Sequence, residues 1–410
     1  MTSVVDPGIW VLDPSVTFLN HGSFGSCPRA VLECQDGWRQ RLERQPVRFL
    51  VLELEQLLDE ARASLARFVG AEASDLVFVS NATAGVNSVL RSLRFQPGDE
   101  LLVTNQEYNA CRNALDFVAS NAGAKVVEVP IPFPFHSADQ IIAAVMAGVT
   151  VRTRLALLDH VTSQTGVVMP IERLVRELSA RGIETLVDGA HAPGMVPLNL
   201  RQLGATYYTG NCHKWLCAPK GAALLYVQPE RQPQIRPLSI SHGANSPRTD
   251  RSRFQIEFGW TGTHDPSAWL CVPKAITYLE SLLPGGWPEI MRRNRELALA
   301  ARRLLCDALQ IQAPCPDEFI GSLASMPLPD STDPAPPPSP LYMDALQDRF
   351  RLEYDIEVPI VPWPAYPQRL LRISAQLYNS LPQYERLATA LGQEFTLSTP
   401  PTWRQPQAAC

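Results

Sequence analysis

The amino-acid sequence predicts an α/β fold: a mostly parallel, seven-stranded sheet in a large domain, followed by a smaller α+β C-terminal domain. Three observations carry this expectation. Short apolar or β-branched runs alternate with helical patterns from about residue 60 to 230, and such alternation builds a parallel sheet with helices on its faces. After Pro273 the pattern changes to one long helical stretch and two short strand signals. A chain of 410 residues, 45% of them hydrophobic, exceeds one ordinary core and can fill two.

The strand candidates, in order, are residues 76–80, 101–104, 125–129, 155–159, 185–188, 206–209 and 222–227, each a compact run rich in Val, Leu, Ile, Thr or Tyr. Helical period separates them, for example over 84–93 and 171–181, where apolar residues recur three and four apart. Downstream, a helix is expected over 288–309 and strands near 352–360 and 370–374. The boundaries that follow are an N-terminal segment 1–20 packing near the small domain, a large domain 21–275, a small domain 276–397 and a tail 398–410. Residues 327–340, with Pro336-Pro-Pro338, are too proline-rich for a helix or a central strand and read as an exposed polyproline-like loop.

Composition excludes several classes. The net charge of −5 is spread thinly, with no Lys/Arg run or basic stripe interleaved with aromatics, so nucleic acid is not an expected partner. The N-terminus, Met1-Thr-Ser-Val-Val-Asp-Pro7, lacks a basic segment leading into an apolar one, and the longest apolar stretches, such as 141–149, are too short to cross a bilayer. A soluble, cytoplasmic protein without membrane contact is the expectation. Nine cysteines without any Cys-x-x-Cys indicate neither a disulfide framework nor a zinc ribbon, but reduced, mostly buried thiols.

The chemistry is concentrated in two short runs. Lys214 stands in Thr209-Gly-Asn-Cys-His-Lys-Trp215, and Asp188 ends the apolar run Glu184-Thr-Leu-Val-Asp188 and opens Gly189-Ala-His191. A lysine amine condenses with an aldehyde, and a carboxylate at a strand end keeps a ring nitrogen protonated; together they describe a pyridoxal phosphate (PLP) site. Lys214 alone would read as a surface lysine with its stem laid along the protein. In parallel sheets ligands collect beyond the carboxyl ends of the strands, where Asn81 to Thr83, Tyr108, Ser163, Asp188 and Lys214 all fall.

Further residues fit the same site. In Asn81-Ala-Thr-Ala-Gly85, between a strand and a helix, free backbone amides and the Thr83 hydroxyl suit a phosphate, although Asn81 or Thr83 also suits plain helix capping. Tyr108 offers a ring face to a flat cofactor, or packs in a core. Arg372, in Leu370-Leu-Arg-Ile-Ser374, can grip a carboxylate with both arms, or lie on the surface. His160, His191 and His213 beside Asp188 raise the alternative of a metal ion. No pair has the helical spacing of a zinc motif, and Lys214 next to His213 repels a cation, so no metal is expected.

With these residues in view the chain resembles the class V aminotransferases of the fold-type I PLP enzymes, and within them the isopenicillin N epimerase group. The matching segments are Phe18-Leu-Asn-His-Gly-Ser-Phe-Gly25, Asn81-Ala-Thr83, Glu107-Tyr-Asn-Ala110, Val187-Asp-Gly-Ala-His191, Gly210-Asn-Cys-His-Lys-Trp215, Gly259-Trp-Thr-Gly-Thr263 and Leu371-Arg-Ile-Ser-Ala375. The resemblance implies that Lys214 forms the Schiff base with PLP, Asp188 binds the ring nitrogen and Tyr108 stacks on the ring. It implies that Ser163 and His191 sit near the ring hydroxyl. Ala82, Thr83, Asn211 and His213 would hold the phosphate, with Thr263 reaching it from a second subunit of a homodimer. Asn20, His21 and Arg372 would face an amino-acid substrate, Arg372 on its α-carboxylate.

One departure narrows the reaction. Cysteine desulfurases of this family carry a nucleophilic cysteine on a mobile loop shortly before the segment matching Leu371-Arg-Ile-Ser374, whereas Glu357-Val-Pro-Ile-Val-Pro-Trp-Pro-Ala-Tyr-Pro367 has none and Cys315 lies too far upstream. The expectation is an epimerase-like enzyme acting at an α-carbon. The alternatives are a C-S lyase or aminotransferase on a small amino acid or cysteine conjugate, and, less favoured, a PLP-binding protein without turnover.

Overall fold

All seven expected strands of the large sheet form. The computed structural model describes residues 5–336 and 344–395. The strands are β1 (Leu76–Val79), β2 (Glu100–Thr104), β3 (Lys125–Val129), β4 (Thr153–Asp159), β5 (Glu184–Asp188), β6 (Tyr207–Asn211) and β7 (Ala223–Val227), in spatial order β1-β7-β6-β5-β4-β2-β3. Every pairing is parallel except the two made by β7, which runs antiparallel to β1 and to β6. Successive residues feed opposite cores: Leu101, Val103, Leu155 and Leu157 pack into one apolar cluster, and Leu102, Ala156 and Leu158 into another. Where both faces are covered, the strands read as apolar runs rather than alternating ones, while the edge strand β3 exposes Lys125 and Glu128.

The covering helices follow their periodicity. In α3 (Ile171–Ser179) the buried residues are Ile171, Leu174, Val175 and Leu178, one apolar stripe, with Glu172 and Arg176 outside. Two others begin just beyond strand ends: α1 (Ala82–Ser92) after β1, and α2 (Asn109–Ala122) after β2. The apolar stretch at 141–149 lies largely in the helix Ala138–Ala147. No helix of the described residues is long and apolar enough to cross a membrane.

Beyond the large sheet, α4 (Gly286–Leu309) and α5 (Leu381–Glu394) pack with a three-stranded antiparallel sheet of β8 (Leu323–Leu328), β9 (Ile360–Pro362) and β10 (Arg369–Ser374), ordered β9-β10-β8. The N-terminal segment is tied here as well. Thr17–Phe18 pairs in parallel with Ile356–Glu357, and the Ser374 amide donates to the Leu19 carbonyl at 2.9 Å. This pairing delivers residues 20–23 to the end of β10.

Three expectations need correction. The strand signal at 352–360 is broken: Leu352 belongs to the helix Ala345–Glu353, and only Ile356–Glu357 and Ile360–Pro362 are extended. The run at 206–209 starts at Tyr207 and continues to Asn211, because Gly210 pairs with Leu224 in the ladder. The proline-rich segment does not begin as an exposed loop, since Pro327 and Leu328 are buried in β8. β8 and β9 are both edges of their sheet, so Pro327 and Pro362 each need only one set of ladder bonds. Residues 337–340 of that segment, and the tail 398–410, lie outside the described residues.

Two glycines close on the turn that follows β6. Gly194 has φ +88°, and a Cβ there would stand 2.6 Å from the carbonyl carbon of Trp215; Gly25 has φ +47°, and its Cβ would stand 2.6 Å from the His213 carbonyl oxygen. A side chain at either position meets backbone that cannot step aside, in a conformation that L-residues avoid. Gly194→Ala and Gly25→Ala are each expected to cost about 2 kcal/mol or more of stability, read from urea unfolding. A loss within about 0.5 kcal/mol, the ordinary surface range, would mean the turn is not gripped there.

Candidate active site

The carboxyl ends of β1, β2, β4, β5 and β6 converge, and the N-terminal segment and β10 face them. Lys214 sits in the turn after β6, its amine buried, with Nζ 3.1 Å from His191 Nε2. The Trp215 indole N–H points at His191 Nδ1 across 3.4 Å. An indole nitrogen only donates, so Nδ1 accepts and the imidazole proton stands on Nε2, facing Lys214. A donor aimed at Nζ needs the amine lone pair, which only neutral lysine offers. Burial pushes the Lys214 amine down to about 8 against the opposing pull of Asp188, and burial with the nearby Lys214 holds His191 well below the usual imidazole range.

Asp188 ends β5 and is almost fully buried. Its Oδ1 accepts from the Ala190 amide at 2.9 Å, and its Oδ2 from the Cys111 thiol at 3.1 Å. No Lys, Arg or His of the described residues forms an ion pair with it. Burial raises its pKa, while the Cys111 and Ala190 donors oppose that rise. Behind it, His160 donates its backbone N–H to the Asp188 carbonyl at 2.8 Å and shares a 2.9 Å bond between Nδ1 and the Tyr208 hydroxyl. Burial alone lowers the His160 imidazole to about 4.

At the start of α1 the capping role belongs to Asn81, whose side chain accepts from the Ala84 amide at 2.8 Å. The Ala82 amide donates to Asn211 Oδ1 at 2.8 Å, which ties α1 to the end of β6. Thr83 follows with its hydroxyl unengaged within the chain. His213, half-buried, donates from Nδ1 to the Ala222 carbonyl at 2.8 Å, which leaves Nε2 without a proton in the neutral ring; burial holds it at about 4. Tyr108 stands at the N-cap position of α2 without a side-chain capping bond and is 38% exposed.

Arg372, on β10, is 4% exposed. It donates to the Ser163 carbonyl at 2.6 Å and to Ser23 Oγ at 2.6 Å, more distantly to Asn20 Oδ1 at 3.4 Å, and its Nε has no partner. Among the described residues the other buried arginines, Arg62, Arg302 and Arg369, each pair with a carboxylate: Asp59, Asp317 and Asp344. Arg372 alone holds a buried guanidinium without an anion, and burial lowers its pKa to about 10.

The structure therefore gathers Asn20, Ala82, Asp188, His191, Asn211, Lys214, Ser163 and Arg372 by hydrogen bonds or shared strand ends. His21 and Thr263 take other positions. His21 is fully buried behind the lysine turn, with its nitrogens taken by the Tyr378 hydroxyl at 2.9 Å and the Lys214 carbonyl at 3.1 Å. These bonds tie it to the lysine turn. Thr263 is exposed, in a bend after Gly262, and no hydrogen bond joins it to the other site residues within the chain. Ser23, Cys111, Glu107 and Asp159 were not foreseen. Their signal was weak: Ser23 and Glu107 lie inside quoted motifs, and Cys111 sits one helical turn after Glu107.

This donor set fits PLP. A buried neutral amine suits an aldehyde, an unpaired buried carboxylate suits a protonated ring nitrogen, and a helix start with an unused hydroxyl suits a phosphate. The desulfurase-type thiol is not here: Cys315 is buried against Arg302, and burial pushes its thiol up to about 11.

Comparison with known proteins agrees. A family model described as aminotransferase class-V matches residues 38–327. The chain is 37% identical over 396 residues to isopenicillin N epimerase of Streptomyces clavuligerus, covering 94% of this chain and 96% of that protein. It is 33% identical over 401 residues to a probable chloroplastic L-cysteine desulfhydrase of Arabidopsis thaliana, covering 92% of this chain and 83% of that protein. A solved structure of a C-DES mutant with glycine covalently linked to its PLP cofactor overlays with TM-score 0.75 at 21% identity, covering 94% and 97% of the two chains, a likeness of fold.

The buried imidazoles have a pH signature. His160 is neutral in the fold and must take up a proton on unfolding below its ordinary value of 6.5. Stability from this group is complete above 6.5 and drains away as pH falls toward about 4. Relative to His160→Gln, the wild type is expected to lose about 1.4 kcal/mol per pH unit across that window, read from urea unfolding at several pH values. A constant difference would mean the ring is not buried neutral.

Proposed function

The chain belongs to the class V aminotransferase family and its cofactor is pyridoxal phosphate; from that premise we propose an epimerase-like enzyme that works at the α-carbon of an amino acid or of a peptide's free amino-acid end. Arg372 carries the reading. A buried guanidinium with four neutral acceptors on Ser163, Asn20 and Ser23, an unpaired Nε and no carboxylate of its own is built to receive an anion, and an α-carboxylate is the group every amino acid brings.

When bound, pyridoxal phosphate supplies an aldehyde for the substrate amine and an electron-poor ring that accepts the pair left when a bond at the α-carbon breaks. Lys214, its amine lowered to about 8 so that the neutral form is accessible near that pH, takes a proton at Nζ and can return it. His191 steadies that nitrogen by its Nε2–H. Asp188 holds negative charge where the ring nitrogen is protonated, with Cys111 and the Ala190 amide fixing its orientation. Arg372 orients the carboxylate, and Ser23 and Asn20 hold Arg372. In this reading Ala82, Thr83, Asn211 and His213 cradle the phosphate, and a phosphate's charge supplies the reason for His213 to gain a second proton.

The cysteine desulfhydrase named among the relatives favours one second reading, loss of a β-sulfur substituent after the same first step. The same residues serve both, so products decide. We expect the PLP-loaded protein to convert a single stereoisomer of an amino acid into a mixture, seen by chiral chromatography. Release of sulfide or thiol with a keto acid would give the site to lysis instead, and absence of both from a broad panel would sink the α-carbon reading. Ser23→Ala is expected to raise KM about tenfold with kcat nearly unchanged, since it loosens ground-state and transition-state carboxylate binding alike.

A homodimer is part of the proposal. Val47, Val51 and Leu52 are each at least 70% exposed on one short stretch, and Thr263 is exposed. Leu52→Asp is expected to shift the protein toward monomer in sedimentation; an unchanged mass would assign the contact elsewhere. A cytoplasmic location is proposed too, supported by eight free cysteines among the described residues, seven of them buried.

A further inference from the structure

Beneath Asp188 lies a group of side chains that the proposed chemistry leaves unused. Glu107 is 6% exposed, and neither carboxylate oxygen has a hydrogen-bond partner. A Glu107 oxygen, Cys111 Sγ and an Asp188 oxygen all lie within 4.8 Å of one another. Asp159 is paired in register with Asp188 on the neighbouring strand, is 3% exposed, and leaves Oδ2 unpartnered. Three buried carboxylates therefore meet at the strand ends.

Three such groups cannot all be ionised in a low-dielectric interior without cations. The remedy is visible elsewhere in the chain: buried Glu100 pairs with Arg152, and buried Glu257 with Arg236 and Arg253. Among the described residues Glu107, Asp159 and Asp188 have no ion-pair partner. The groups facing Glu107 are Cys111 and Arg112 from α2, Asp159 from β4, Asp188 from β5, and, beyond them, Tyr208 of β6 and Lys214. Arg112 is engaged by Asp116 and Glu128. Only Asp188 accepts two donors from other residues, the Ala190 amide and the Cys111 thiol, and Lys214 draws its charge further. The one anion of the trio belongs on Asp188. Burial, then repulsion from Asp159 and Asp188, holds the Glu107 carboxyl well above its ordinary range.

We propose that Glu107 is a positioning residue of the cofactor site: it stands as the neutral carboxylic acid and so confines the trio's negative charge to Asp188. The inference rests on the reading that Asp188 faces the ring nitrogen. An ionised Glu107 would repel charge on Asp188 and favour its neutral form, which cannot stabilise a protonated ring nitrogen. As a neutral acid it fills the space beneath without competing.

The test is infrared spectroscopy of the PLP-loaded protein at pH 8, with glutamate carboxyls carrying carbon-13, beside the pH titration of cofactor absorbance. The expected result is a protonated-acid carbonyl band that moves with the glutamate label and vanishes in Glu107→Gln. The Gln variant's absorbance midpoint should stay within about twofold in proton concentration, because one neutral group replaces another. No labelled acid band in the wild type, a measurement that needs no variant, would overturn the proposal. So would a midpoint displaced about tenfold or more in Glu107→Gln, the mark of a lost buried charge. Asp188→Ala separates the two readings: a normal acid band with a cofactor spectrum and midpoint unmoved by Asp188→Ala would detach Asp188 from the ring, and Glu107's role with it.

Discussion

Lys214 can serve as a base near neutral pH only if its amine is kept from water and uncharged, and much of the local geometry serves that end. Holding the amine at about 8 rather than at the ordinary lysine value disfavours its ammonium form by about 3 kcal/mol. The turn that carries it has little freedom to relieve the cost. Gly25 and Gly194 approach its backbone from separate segments, His21 donates from Nε2 to its carbonyl, and Trp215 fixes the tautomer of the histidine that meets its amine. Residues from the first strand-like segment, the large sheet and the loop after β5 thus converge on one side chain.

The same logic distributes charge through the site. Buried Arg372 lacks an anion and buried Asp188 lacks a cation, yet the chain pairs its other buried arginines with carboxylates. Burying an unpaired charge costs several kcal/mol, so a fold keeps two such groups only where something else supplies the counter-charges. In the proposed reading an amino-acid carboxylate and a protonated ring nitrogen are those counter-charges. The site is therefore less stable alone than filled, as binding energy directed at a reacting centre requires.

How much of this was legible in the sequence follows from where the information lies. Most strands of the large sheet are readable because both faces are buried, and burial on both faces writes itself as an apolar run; the edge strand β3, with Lys125 and Glu128 exposed, is read from its valines. Lys214, Asp188 and Arg372 were readable because their residue types carry distinctive chemistry at strand ends. β8 was not, because Pro327 disguises an edge strand as a loop, and the broken pattern at 352–360 mixes a helix end with two short extended pieces. A substrate-facing His21 is what the resemblance implies, whereas its partners Tyr378 and the Lys214 carbonyl come from distant segments that no local spacing reveals. Glu107, Cys111 and Ser23 act through other side chains, and contacts across 77 or 349 residues leave no local spacing to detect.

The central claim is that neutral Lys214 moves the substrate's α-proton. Proton NMR in D2O of the PLP-loaded wild type and of Lys214→Ala, with amino-acid substrates, tests it most directly. The account predicts α-proton exchange in the wild type and a loss of about a hundredfold or more in the variant, the range a positioned general base contributes. Exchange at the wild-type rate in Lys214→Ala would contradict it.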